Sequence, residues 1–179
     1  MGTTLQKAVD LIELLVDLVG RTVAWLVLGL VMLVAINVLA RYMFSAGTVA
    51  MQELEWHVLA VTALVGMSYG INRGDEVRVD MLYGNYGRRT KAAVDMLSAV
   101  LMLLVAVFIV KVSLGYVAQS YAYQEGSPDP GGLPYRYLLK ALIPFGFVLL
   151  ALQAIVEIAK ALRAYRNATS PAGDQPSES

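Results

Sequence analysis

Thr22-Val-Ala-Trp-Leu-Val-Leu-Gly-Leu-Val-Met-Leu-Val-Ala-Ile-Asn-Val-Leu-Ala40 runs for 19 residues without a charge, between Arg21 and Arg41. A helix needs about 20 mostly apolar residues to cross the hydrocarbon core of a bilayer. This stretch therefore predicts a membrane span, and the chain repeats the pattern. Residues 56–72 carry no formal charge when His57 is neutral, and the segment extends back through Glu53. A third segment starts near Lys91, is charge-free over 96–110, meets Lys111, and continues apolar and aromatic to Tyr123. A fourth runs from Tyr135 to beyond Glu157. The reading is an all-α integral membrane protein with spans at about 22–41, 53–72, 91–123 and 135–159.

The composition agrees. Of 179 residues, 58% are hydrophobic and 16% charged, with mean hydropathy +0.60. Soluble chains average about 45–50% apolar and about 25% charged. Lys+Arg and Asp+Glu balance at 14 each, so no net field favours nucleic acid. No Cys means no disulfide, thiolate nucleophile or Cys-based metal site. One His excludes a bis-His haem and a His-rich zinc site. No cofactor is expected.

Lys111 lies 20 residues after Lys91, about 30 Å of helix, which matches the hydrocarbon thickness. It is expected to reach the far interface and snorkel there, with Tyr116, Tyr121 and Tyr123 as an aromatic belt. A buried ion-pathway lysine is the alternative. Ten Lys and Arg fall on the side of the termini and the 73–91 connection, against four on the other side. The positive-inside rule then puts both termini in the cytoplasm.

Residues 1–21 do not read as a cleaved leader, because Asp10, Glu13 and Asp17 sit where an apolar core is required. Leu5, Val9, Ile12, Leu15, Val16 and Val19 recur at helical spacing, which predicts an amphipathic helix at the interface or against a partner, ended by Gly20. The four-helix membrane domain covers 22–163. Residues 164–179 are expected to form a disordered cytoplasmic tail.

Three polar groups stand out. Arg41 closes the first span, while Glu53, Glu55, Trp56 and His57 open the second across a turn at Gly47. Helix capping with an Arg–Glu pair across the hairpin explains them, and so does a docking patch for an external partner. Glu53 and His57 are spaced to touch. In the 73–83 connection, Arg78 and Asp80 share a face if the segment is extended, and an amphipathic helical turn is equally compatible. No P-loop or Gly-rich fingerprint is present there, so subunit packing is favoured over ligand chemistry. The third group is Glu125-Gly-Ser-Pro-Asp-Pro-Gly-Gly-Leu-Pro134-Tyr-Arg136, where three prolines and three glycines exclude a helix. Pro134 suits the first position of the fourth helix, with Arg136 and Lys140 one turn apart on it and Pro144 bending it. This loop is a rigid turn or a shaped surface that meets another protein. Within the spans, Asn37, Gln119 and Gln153 are scattered, and no broken-helix pair or internal repeat builds a transport site. Gly29, Gly66, Gly70, Gly115 and Gly146 are candidates for close helix approach.

The chain resembles the small membrane subunit (DctQ-type) of tripartite ATP-independent periplasmic (TRAP) transporters. The resemblance covers about residues 24–163. It rests on Asn37-Val-Leu-Ala-Arg-Tyr42, Gln52-Glu-Leu-Glu-Trp-His57, Gly66-Met-Ser-Tyr69, Val77-Arg-Val-Asp-Met-Leu-Tyr83, Lys91-Ala-Ala-Val-Asp95 and Pro130-Gly-Gly-Leu-Pro-Tyr-Arg136, with Lys140, Pro144 and Gln153 following in order. A His common in the family before the Val-Arg-Val-Asp stretch is Glu76 here, so no role of that His carries over. The resemblance implies a non-enzymatic scaffold subunit in a bacterial inner membrane. It implies a large membrane subunit (DctM-type) holding substrate and sodium sites, and a periplasmic substrate-binding protein (DctP-type) delivering an organic acid. Membrane lipids are further partners, and nucleic acid is not. An accessory four-helix subunit of another membrane complex, such as a respiratory one, is the competing reading.

Overall fold

The structure, a computed structural model, describes residues 3–74 and 86–169. It has four helices: α1 (Thr3–Phe44), α2 (Val49–Arg73), α3 (Arg88–Ala122) and α4 (Arg136–Thr169). No strand occurs among the described residues. All four helices are long and apolar enough to cross a membrane. One of these helices covers each of the four stretches read as spans from the sequence, to within a residue. Arg78 and Asp80 of the 73–83 connection, and residues 170–179 of the tail, lie outside the described residues.

α1 is a single helix of 42 residues where the sequence suggests two elements. Gly20 does not end it. A Cβ at Gly20 would fall 2.2 Å from Cδ2 of Tyr69, so the missing side chain makes room for the Tyr69 ring between α1 and α2. At about 1.5 Å per residue the helix is about 63 Å long, roughly twice the hydrocarbon thickness. Its N-terminal part packs on the chain itself. Val9 and Ile12 meet Val156 and Ala159 of α4, and higher up Val23 meets Val65 and Leu149. Apart from Gly20, the buried residues of α1, Val9, Val16, Val23 and Asn37, are spaced by seven or fourteen, the repeat of a left-handed helix seam. The acids of this segment fasten it. Asp17 pairs with Arg21 and with Arg73 of α2, each at 2.8 Å, and Lys160 of α4 pairs with Glu13 at 2.8 Å and Glu157 at 2.9 Å.

The short turn after α1 is closed by Thr48, whose Oγ1 accepts the Met51 N–H at 3.3 Å as the N-cap of α2. Gly74, at φ 73°, stops α2 in the left-handed conformation, and its N–H returns to the Ile71 carbonyl at 3.0 Å.

α3 and α4 form the most extensive pairing, and α3 makes no comparable contact with α1 or α2. The buried residues of α3 are Ala92, Ala99, Ala106, Ser113 and Ser120, small and seven apart. Such a stripe lets two helix axes approach where lipid gives no hydrophobic drive. α4 is therefore central, with α3 on one side and the α1–α2 hairpin on the other. Of the five glycines expected at close approaches, only Gly146 is at one: its Cβ would lie 2.9 Å from the Leu64 carbonyl oxygen. At Gly29, Gly66, Gly70 and Gly115 the space is open. The seam uses Ala and Ser instead, because a heptad register needs a small side chain at each seventh position, not the absence of one.

Two boundaries differ from expectation. α4 begins at Arg136, not at Pro134, because Tyr135 takes a left-handed φ of 64° that breaks the helical path. It then runs to Thr169, so residues 164–169 are helical. Pro144 lies inside α4 and is buried. Lys111 is exposed on α3, so within this chain it is not a buried pathway group.

Candidate functional site at the hairpin-loop end

The α1–α2 turn and the α3–α4 loop lie at the same end of the molecule, and Glu53 joins them. Glu53 sits in the second turn of α2 and is only 4% exposed. Its Oε1 accepts the Ser127 hydroxyl, and its Oε2 accepts the Leu133 backbone N–H. Both donors belong to the Pro/Gly-rich loop. That loop is shaped by the Ser127 N–H on the Leu133 carbonyl (3.1 Å) and by the Gly132 N–H on the Asp129 carbonyl (3.0 Å). Gly131 supplies the φ of 80° the turn requires. At Gly132 a Cβ would lie 2.3 Å from Ser127 Oγ and 2.8 Å from Glu53 Oε2, so only glycine admits the carboxylate.

A second carboxylate closes the loop onto its own helices. Glu125 accepts the Ser120 hydroxyl of α3 at 2.7 Å and the Lys140 ammonium of α4. Its backbone carbonyl takes the Arg136 N–H at 2.9 Å and thereby starts α4. The hydrogen bond from Lys140, then that from Ser120, holds the Glu125 carboxyl below the ordinary carboxylate value. Lys140 also stands 4.0 Å from the centre of the Tyr116 ring, and the Arg136 guanidinium 5.6 Å from that of Trp56. These residues flank a cavity of about 310 Å³ between α2, α3 and α4. Tyr121, Tyr135 and Tyr137 form an edge-to-face set beside it.

The structure thus brings together six of the residues singled out from sequence: Glu53, Trp56, His57, Glu125, Arg136 and Lys140. The contact expected between Glu53 and His57 exists, but Nδ1 of His57 bonds the Glu53 backbone carbonyl, not its carboxylate. The His57 ring lies 4.2 Å from that of Trp56. The expected Arg–Glu pair across the first hairpin is replaced. The buried Asn37 amide donates to Glu55 at 2.7 Å, and Arg41 is exposed with no ion pair to Glu53 or Glu55. The partners that complete the site, Ser120, Ser127 and the Leu133 N–H, were not legible. Ser127 lies 74 residues from Glu53, and no local pattern marks it. Both carboxylates are occupied by donors of the fold, so the arrangement holds a shaped surface.

The profile of the family described as "Tripartite ATP-independent periplasmic transporters, DctQ component" matches residues 30–164. The chain belongs to the DctQ family. That stretch is more than half of the 179 residues, and it includes α2, α3 and every residue of the site just described. No curated protein matches the chain. The family is one of transporter components, not of enzymes, and with four spanning helices the chain is a multi-pass membrane component of a TRAP transporter.

Proposed function

We propose that this DctQ-family chain is the fixed scaffold subunit of a sodium-coupled, binding-protein-dependent importer of an organic acid in a bacterial inner membrane. The observation that carries this reading is the Glu53 latch, which joins two helical hairpins into one rigid loop surface while the outward faces of the helices stay apolar. Trp25 on α1 is 74% exposed, and Leu104 and Phe108 on α3 are 61% and 63% exposed. Such faces suit lipid and a large DctM-type membrane subunit, which would hold substrate and sodium. The loop surface carrying Glu125, Arg136 and Lys140 would meet the DctP-type binding protein. Both termini then lie in the cytoplasm, as the ten-to-four distribution of basic residues supports. Arg41, Glu55, Arg78 and Asp80 are further candidates for subunit contacts.

The test is co-expression with the large membrane subunit and the binding protein, and purification through a tag on this chain. Recovery of the large subunit in about one-to-one ratio, with organic-acid uptake that requires all three proteins and a sodium gradient, is expected. Recovery of this chain alone, with uptake unaffected by its deletion, would overturn the reading.

A further inference from the structure

The cavity at the hairpin-loop end has a chemistry of its own. α2 and α3 make no extensive contact with each other, and a cleft floored by α4 opens between them. Its outer rim is polar and aromatic, with Trp56, Tyr116, Glu125, Arg136 and Lys140, while Leu64 and Ile143 line it further in. Trp56 and Leu64 are two helical turns apart, about 12 Å along α2. The cleft therefore grades from a charged rim, where Glu125 offsets Lys140 and Arg136 is left in excess, to an apolar interior over the depth at which a phospholipid changes from headgroup to chain.

The two rim cations are not equivalent. Lys140 is satisfied by Glu125. The Arg136 guanidinium has no side-chain hydrogen bond or ion pair among the described residues, and its contact there is the face of Trp56. The nearby carboxylates are turned to other donors, Glu53 to Ser127 and Leu133, Glu125 to Ser120 and Lys140. A guanidinium whose contact is an indole ring keeps its fork of N–H donors for a planar or tetrahedral oxyanion. About 310 Å³ is at the lower end of ligand cavities, enough for a headgroup and the first part of one chain.

We infer that this cleft is a specific site for an anionic phospholipid, with its phosphodiester on Arg136 and an acyl chain between Leu64 and Ile143. The inference stands on the membrane location of the chain and holds whichever leaflet faces this end. A bound lipid would fill the cleft between α2 and α3 and so complete the loop surface from below.

The chain has two tryptophans, so Trp25→Phe leaves Trp56 as the sole reporter. The full chain in zwitterionic nanodiscs is titrated with acyl-brominated phosphatidylglycerol or acyl-brominated phosphatidylcholine at a few mole per cent. Saturable quenching is expected at a mole fraction about fivefold lower for phosphatidylglycerol, the scale of one interfacial cation. Arg136→Gln is expected to abolish that preference and Arg136→Lys to keep part of it. Ala60→Phe, which fills the cleft and leaves the cations in place, is expected to abolish saturation, and it serves if the Arg136 variants do not fold. Inorganic phosphate is expected not to compete. Equal quenching by both lipids, a preference untouched by Arg136→Gln, displacement by inorganic phosphate (a soluble-anion site), or loss of saturation once a partner subunit is bound (a protein side chain in the cleft) would each overturn the inference.

Discussion

Glu53 and Ser127, 74 residues apart, are hydrogen-bonded side chain to side chain, and through that bond α2 holds the loop between α3 and α4. The same carboxylate takes the Leu133 N–H, so one buried residue fixes both ends of the Pro/Gly-rich segment. The consequence is mechanical. α4 already contacts α1, α2 and α3 along its length, and the latch adds a constraint at the end where the loops meet water.

Replacing Glu53 by Ala strands two donors inside the fold. A buried donor without an acceptor costs its desolvation, so a fall of about 3–5 °C in Tm is expected for the full chain in detergent. The loop should also open locally, with faster tryptic cleavage at Arg136 than in the parent. Glu53→Gln is expected to restore the Ser127 contact only in part, because an amide turns an N–H toward one of the two donors. Unchanged cleavage in Glu53→Ala would sink the latch.

Glu125 gives a pH signature with a definite sign. Its folded carboxyl titrates below the ordinary value of 4.5, because Lys140 and Ser120 hydrogen-bond the charged form. A depressed carboxylate stabilises the fold above its unfolded pKa and loses that contribution as pH falls through the folded one. Thermal stability is therefore expected to be flat in this contribution above about pH 4.5 and to fall below it. Glu125→Gln should lower stability at neutral pH and shrink the acid limb. A variant with the parent's full acid limb would assign that limb to other groups.

How far the chain could be read from sequence follows the range of the interactions. The spans were legible because charge-free length is a local property, and the loop at 125–136 because Pro and Gly forbid a helix locally. The unbroken course of α1 was not, since Gly20 reads as a terminator until Tyr69, 49 positions on, is seen to occupy its place. The Ala/Ser seam was available in the sequence at 92, 99, 106, 113 and 120, but glycine drew attention as the smallest residue. The partners of Glu53 and Glu125 were closed to local reading. A carboxylate near a helix N-terminus is equally well explained by the dipole, and only the tertiary arrangement shows that each bonds across the fold.

The seam predicts a contrast between enlarging a seam residue and filling an open position on the same helix. Ala106 is fully buried and Ala99 is 3% exposed, both against α4. Ala99→Leu or Ala106→Leu forces α3 away from α4 and is expected to cost about 1–3 kcal/mol. Gly115→Ala on the same helix meets open space and is expected to be neutral or slightly stabilising, since alanine is the better helix former. Unfolding titrations in mixed detergent order these variants. Tolerance of leucine at 99 and 106 would mean that α3 does not pack through this stripe.

Gln153 tests whether buried polarity in α4 is used or merely tolerated. The side chain is wholly buried, its Nε2 donates to Glu157 at 2.9 Å, and its Oε1 has no hydrogen-bond partner among the described residues. An orphaned acceptor is a cost that a same-sized apolar side chain removes. The lost donor is covered, because Glu157 also receives Lys160 at 2.9 Å. Gln153→Met is therefore expected to leave stability within about 1 kcal/mol of the parent or to raise it. A loss above about 2 kcal/mol would mean that Oε1 does have a partner in the assembled protein, such as an ordered water or a donor from another subunit. The two differ in how they respond to assembly: a water-satisfied Gln153 gives the same loss in the isolated chain and in the complex, whereas a subunit contact gives it only in the complex.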